Sequence, residues 1–166
     1  TMGGLKNIEA MFEKLLLFSV LYYYWIKAFF LVKIFNIFRN KKTKKTVLIL
    51  ENFPIENTGY QYRAKKWAEL LNKNGFHCEV LTLIEEKSEF DKAIKGKNLS
   101  RFFIYSIRKR FKQCLYARNF ETVIVRRELL LFNDYGNLFM EKFLLKIHPN
   151  VILDFDNDIS AAKQLA

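Results

Sequence analysis

Three polar clusters follow short apolar runs, and each carries side chains suited to an anionic ligand. In "ENFPIENTGYQYRAKKWAEL" (51–70), Asn57, Thr58, Gly59 and Tyr60 lead into a helical pattern, and Arg63 falls in its first turn. Backbone N–H groups at a helix start attract anions, and an arginine adds a planar donor fork matched to phosphate or carboxylate. The same residues read equally as a Thr58 N-cap followed by a solvated arginine. In "VRRELL" (125–130), strand alternation sends Arg126 and Arg127 to opposite faces. One of them, or Glu128, is expected to reach a cleft while the other pairs with a neighbouring acid. In "DFDND" (154–158), Asp154 and Asp156 form an acidic strand end. That stretch fails as a calcium loop, since Ile159 stands where glycine is needed and Leu165 where the bidentate glutamate belongs. No metal is expected.

The remaining chemistry-bearing residues are sparse. His77 and His148 are the only histidines, and neither is placed as a general base. His148 precedes Pro149 at the start of a strand, the end away from a ligand crevice. Cys78 and Cys114 lie far apart in apolar contexts, with no CxxC or Cys/His cluster. That spacing excludes a zinc site of the usual kind and points to buried thiols in a reducing compartment.

Periodicity supplies the elements that must position these clusters. "TVLIL" (46–50), "CEVLTL" (78–83), "TVIVR" (122–126) and "NVILDF" (150–155) are short, β-branched apolar runs, the mark of strands buried on both faces. Between them run helical patterns. "YQYRAKKWAELLNKNG" (60–75) sets Tyr60, Ala64, Trp67, Ala68 and Leu71 at three- and four-residue steps and ends at a C-cap glycine, Gly75. Residues 85–99 read as a polar loop or short helix. The helix expected at 101–118 gathers Phe103, Ile104, Ile107, Phe111, Cys114 and Leu115 on one face and Arg101, Arg108, Lys109 and Lys112 on the other, a candidate membrane-contact face. A further helix is expected over 133–147. Strands separated by helical crossovers imply a parallel sheet. The fold class is α/β, a Rossmann-like parallel sheet with flanking helices, preceded by a long hydrophobic N-terminal helix.

At 166 residues, 51% of them apolar and 16% aromatic, the chain supports one sizeable core and is not a disordered segment. Its net charge of +11 is uneven: residues 1–45 hold nine Lys/Arg against Glu9 and Glu13, a balance of +7. The chain therefore divides into a hydrophobic, basic segment (1–45) and a Rossmann-like part (46–166). Basic charge joined to apolar residues favours an anionic membrane surface, and no nucleic-acid recognition motif accompanies it. Residues 15–38 admit three readings: an interfacial helix, a helix packed on protein or on a second copy as a homodimer contact, and a spanning helix. If they span, "RNKKTKK" (39–45) lies on the cytoplasmic side.

The order of "TVLILENFPIENTGYQYRAKKWAELLNKNGFHCEVLTL", "FETVIVRREL" and "VILDFDNDI" resembles the N-terminal half of GT-B glycosyltransferases of glycosyltransferase family 4, over about residues 46–159. The resemblance implies an acceptor-side domain of a two-domain enzyme that transfers sugar from a nucleotide-sugar donor to a glycan or lipid-linked acceptor. It implies no essential metal or other cofactor. Asn57, Thr58, Gly59, Tyr60, Arg63, Arg127, Glu128, Asp154 and Asp156 would border the interdomain cleft. Asn157-Asp158 departs from the family's usual residues after Asp156, and no second Rossmann pattern supplies a donor domain. The resemblance thus implies a truncated, inactive piece of an enzyme at the cytoplasmic face of a membrane. The alternative is a non-catalytic α/β interaction module that dimerises through its N-terminal helix.

Overall fold

The computed structural model describes residues 2–37, 44–54, 60–86, 88, 91–92, 95, 99–131 and 138–154. Strands β1 (Thr46–Glu51), β2 (His77–Thr82), β3 (Thr122–Arg126) and β4 (Val151–Asp154) form one sheet in the order β2-β1-β3-β4. Every pairing is parallel. The chain thus has the α/β fold read from its sequence. All six residues of β1 are buried, as a central strand requires. Edge strand β4 leaves Ile152 53% exposed.

Alternation along the strands divides the core in two. Val47, Ile49, Cys78 and Ile124 face α2 (Lys66–Lys73), meeting Ala64, Ala68 and Leu71. Leu48, Leu50, Val123 and Val125 face α3 (Leu99–Tyr116) and α4 (Phe139–Ile147). The chain therefore leaves β1 over one face and returns to β3 over the other.

Local chemistry accounts for the element ends. Gly75, at φ 79°, terminates α2 as expected. The N–H groups of Gly75 and Phe76 donate to the carbonyls of Asn72 and Leu71, the paired bonds of a Schellman cap that only a left-handed residue closes without strain. The start of this helix differs from expectation. Residues Tyr60–Lys65 form a π-helical turn, and the α-helix proper begins at Lys66. Trp67, expected on the apolar stripe, is 37% exposed because Ala64, Ala68 and Leu71 already meet the sheet.

The N-terminal helix α1 (Met2–Ile37) does not stand apart from the sheet. Leu17, Val20, Leu21, Tyr24, Leu31 and Val32 pack on the core, and Ala28 is buried within it. Their three- and four-residue spacing makes one continuous helix face. Ser100 Oγ at the start of α3 donates to Glu13, and Arg118 just past its end lies over the Phe35 ring, so α1 and α3 run in the same direction. Phe111 links three helices: its ring stacks on Phe143 at 4.7 Å between centroids and meets Tyr24 at 4.9 Å. The opposite face of α1 leaves Phe12, Leu15, Leu16, Tyr22, Phe29 and Phe30 exposed, among others. Met11–Phe35 is the one helix among the described residues long and apolar enough to cross a membrane.

Because Phe111 is buried where three helices meet, Phe111→Ala is expected to lower the unfolding free energy by about 3–5 kcal/mol, measured by urea denaturation. A loss under about 1 kcal/mol would contradict the packing of α1 against α3 and α4.

Candidate functional site

The strand order turns back between β1 and β3, so the sheet's crevice opens beyond Glu51 and Arg126. Register determines what lines it. Leu50 pairs with Val125, so Glu51 stands beside Arg126, and Arg126 in turn pairs with Asp154. Acid, base and acid therefore form a row across three adjacent strands on the α2 face. Arg63, projecting from the π-helical turn, approaches the row from above.

Distances within the row grade from tight to open. Arg126 Nη1 donates to Glu51 Oε2 at 2.6 Å, and both side chains are at least 95% buried. The other Glu51 carboxylate oxygen accepts from the Asn52 and Phe53 N–H groups at 2.8 and 3.3 Å. Asp154 Oδ2 lies 3.8 Å from Arg63 Nη1 and 3.9 Å from Arg126 Nε, between two guanidinium groups. That oxygen is buried without a hydrogen-bond partner. A carboxylate already faced by two cations is a poor metal ligand. Among the described residues no cluster of three metal-binding side chains forms.

Arg127 leaves the strand at φ 62°, a left-handed conformation uncommon for a residue with a Cβ. Its N–H donates to the Asp154 carbonyl at 2.9 Å, and its side chain is exposed at the crevice rim. Arg126 is thus buried against an acid, while Arg127, past the strand end, is exposed. Glu128 is exposed, and its carbonyl accepts from Asn52 Nδ2 at 2.7 Å. Arg63 is 45% exposed. Tyr60 opens the π-helical turn. Asn57, Thr58, Gly59 and Asp156 lie outside the described residues.

Beneath the crevice, on the other face, sits an arginine that periodicity alone does not single out. Arg110 of α3 is fully buried. It donates to the carbonyls of Leu129 (2.8 Å) and Glu51 (2.9 Å), to Asn52 Oδ1 (2.6 Å) and to Gln113 Oε1 (2.7 Å). Gln113 Nε2 passes the chain of bonds on to the Thr82 carbonyl at 2.9 Å. The segments after β1, β2 and β3 are therefore tied to one guanidinium. Burial pulls its pKa down to about 10, with Cys114, Glu51 and Glu141 acting the other way, so it stays charged at neutral pH. The available signal was its position: Arg110 falls three residues after Ile107 and directly before Phe111, inside the apolar stripe of α3.

The basic residues read as a separate face of α3 divide as well. Arg101, Arg108 and Lys112 are exposed. Lys109 is not freely presented: its Nζ pairs with Glu85 at 2.7 Å, and its side chain is only 16% exposed. The histidines stay clear of the crevice. His148 is buried at the far end of the sheet, with its Nε2 2.9 Å from the Phe120 carbonyl, and His77 pairs with Glu79 at 3.0 Å. Burial pushes the thiol of Cys78 up to about 11 and that of Cys114 up to about 12. Neither can act as a thiolate nucleophile at neutral pH.

Comparison with protein-family models, with curated proteins and with solved structures returned no match. Functional inference therefore rests on the crevice itself. On the α2 face and its rim three acidic side chains (Glu51, Glu128 and Asp154) stand against three arginines (Arg63, Arg126 and Arg127), and Arg63, Arg127 and Glu128 are the exposed ones. The exposed arginines can meet an anion, and among the described residues neither histidine lies near enough to act there as a base.

Two measurements check this geometry. Arg126→Met is expected to lower stability by about 3–5 kcal/mol, because it leaves Glu51 charged and buried. Adding Glu51→Gln should restore most of that loss, whereas equal losses in the single and double variants would count against a coupled pair. The thiols provide the second check. Because their folded pKa values are raised above the ordinary 9.0, their contribution to stability is complete below pH 9 and is lost as pH rises through about 11 and 12. At pH 8 a disulfide reagent is expected to leave both cysteines of the native chain unmodified and to label both in denaturant.

Proposed function

We propose that this chain is the acceptor-side Rossmann-like domain of a membrane-associated glycosyltransferase, and that the crevice beyond β1 and β3 holds a phosphate-bearing substrate. The observation that carries the reading is the pairing of a topological switch point with two arginines, Arg63 and Arg127, whose side chains are exposed at the crevice. The motif order set out above supports assignment to glycosyltransferase family 4. Asp154 and Glu128 border the crevice and orient the arginines. Asn57, Thr58, Gly59, Tyr60 and Asp156 are the further substrate-binding residues that the family resemblance implies. A nucleotide-sugar donor is the co-substrate, bound by a second domain, and a glycan or lipid-linked compound is the acceptor.

Membrane attachment at the cytoplasmic face belongs to the same proposal. It is supported by the exposed apolar side of α1 and by the basic excess of residues 1–45. The alternative, a non-catalytic module dimerising through α1, uses the same apolar side. It is disfavoured by charge, since a chain of net +11 repels its own copy unless basic surfaces are kept apart.

The decisive assay offers common sugar nucleotides to the complete gene product and follows both hydrolysis and transfer. Binding of none of them would remove the glycosyltransferase reading. Within an active enzyme, Arg63→Ala is expected to cut turnover at least tenfold while changing stability by no more than about 1 kcal/mol, the usual limit for an exposed ion pair. Parallel losses of activity and stability would make Arg63 a structural residue.

A further inference from the structure

Between α1 and α4 runs an apolar groove of about 530 Å³, within the size range of small-molecule sites. Its floor is Leu21, Ala28 and Phe143, and Trp25 stands at its side. Three lysines complete the lining: Lys33 from α1, and Lys142 and Lys146 from α4. All three are exposed, and none forms an ion pair with a described residue. Lys142 and Lys146 are one helical turn apart, a like-charge spacing that weakens a helix unless an anion lies between. The groove does not touch the crevice, and neither the fold nor the crevice requires its charges.

We propose that this groove binds a single membrane lipid with a phosphate head group. The acyl part lies along Leu21, Trp25, Ala28 and Phe143, and the phosphate sits among Lys33, Lys142 and Lys146. Three features select this occupant. Leu21, Ala28, Val32, Phe139 and Phe143 give the trough an apolar lining with no hydrogen-bonding side chain of their own, which suits a hydrocarbon. Three lysines in this otherwise largely apolar lining, one of them with its Nζ 4.6 Å from the Phe29 ring centre, call for an anionic group on the occupant. A second copy of the chain would bring the same lysines together, which charge opposes. The groove also continues into the exposed apolar side of α1, where Phe18, Tyr22 and Phe29 stand at its border, so a lipid need not leave a bilayer to enter. This site is independent of the glycosyltransferase reading: it stands whether or not the crevice transfers sugar.

The chain has two tryptophans, Trp25 and Trp67, so Trp67→Phe leaves the groove indole as sole reporter. Its emission is followed while dioctanoyl phosphatidate, dioctanoyl phosphatidylcholine or glycerol 3-phosphate is added below micelle-forming concentration. Phosphatidate is expected to give a saturable shift, phosphatidylcholine a much weaker one, and glycerol 3-phosphate none. Lys142→Gln with Lys146→Gln should weaken phosphatidate binding about ten- to thirtyfold, as two lysines near a phosphate imply. Lys142→Arg with Lys146→Arg should retain it, and circular dichroism confirms that both variants fold. Equal affinity for the two lipids, an unaffected double glutamine variant or a silent Trp25 would overturn the proposal. A Trp25 shift that follows protein concentration without lipid would do so too, in favour of a second copy.

Discussion

A single buried cation ties the open end of this fold together. Arg110 reaches from α3 under the sheet's carboxyl edge and donates to neutral oxygens after β1 and β3, while its partner Gln113 reaches the end of β2. The segments past the strands also touch one another, the Ile84 N–H donating to the Asn52 carbonyl and Asn52 Nδ2 to the Glu128 carbonyl, and Arg110 adds to these bonds from below. A guanidinium with five donors in a rigid fork serves four acceptors here, one more than the three donors of a lysine ammonium allow one-to-one. The cost is desolvation of a full charge, reflected in its lowered pKa. The return is order: the Leu129 carbonyl gains a donor, and the Glu51 carbonyl, which also accepts from the Leu83 N–H, gains a second.

The ionic row on the opposite face depends on that order. Glu51 contributes its carbonyl to Arg110 below and its carboxylate to Arg126 above, so one residue joins the two networks. Its backbone position is fixed from one side before its charge is paired on the other. Arg126 then faces Asp154 at a looser 3.9 Å, and Asp154 faces Arg63 at 3.8 Å. Rigidity therefore falls away from the sheet centre toward the rim, where a ligand would have to compete for the arginines. Tight pairs give the crevice its shape, and the looser ones leave donors open to exchange.

The sequence made the sheet legible because strand identity is a local property here. Continuous β-branched runs define β1 and β3, and Gly75 marks a helix end through a constraint on its own φ. The difference between Arg126 and Arg127 was legible too, although Arg127 lies past the strand end, where alternation no longer applies. Which acid would receive Arg126 was not, because that depends on the register of β1 against β3. Arg110 was hidden for a different reason. A charge within a basic helix reads as solvated, and only the oxygens converging on it from the ends of β1 and β3 and from Gln113 make burial tolerable. The basic face of α3 erred in the reverse sense at Lys109, since Glu85 comes from a segment whose path periodicity does not describe. For α1, hydropathy reported a long apolar helix but could not tell which face meets protein, since apolar side chains surround the axis.

The placement of α1 also constrains how the crevice could be presented to a surface. This helix runs in the direction of α3, which itself returns antiparallel to the strands, so the axis of α1 lies along the sheet and not across its edge. Its 36 residues extend about 54 Å at 1.5 Å per residue. A membrane that took up the exposed apolar side would therefore lie parallel to the strands, along the α3 and α4 side of the molecule. The crevice would then open sideways, near the level of the surface, with the ionic row on the face of the sheet turned away from it. A helix that left its docking face to cross a bilayer would uncover Leu17, Val20, Tyr24 and Ala28, and with them part of the core around Phe111. Because the inner face of α1 is built into the domain, any contact along its outer face leaves the fold intact, whereas detaching the helix does not.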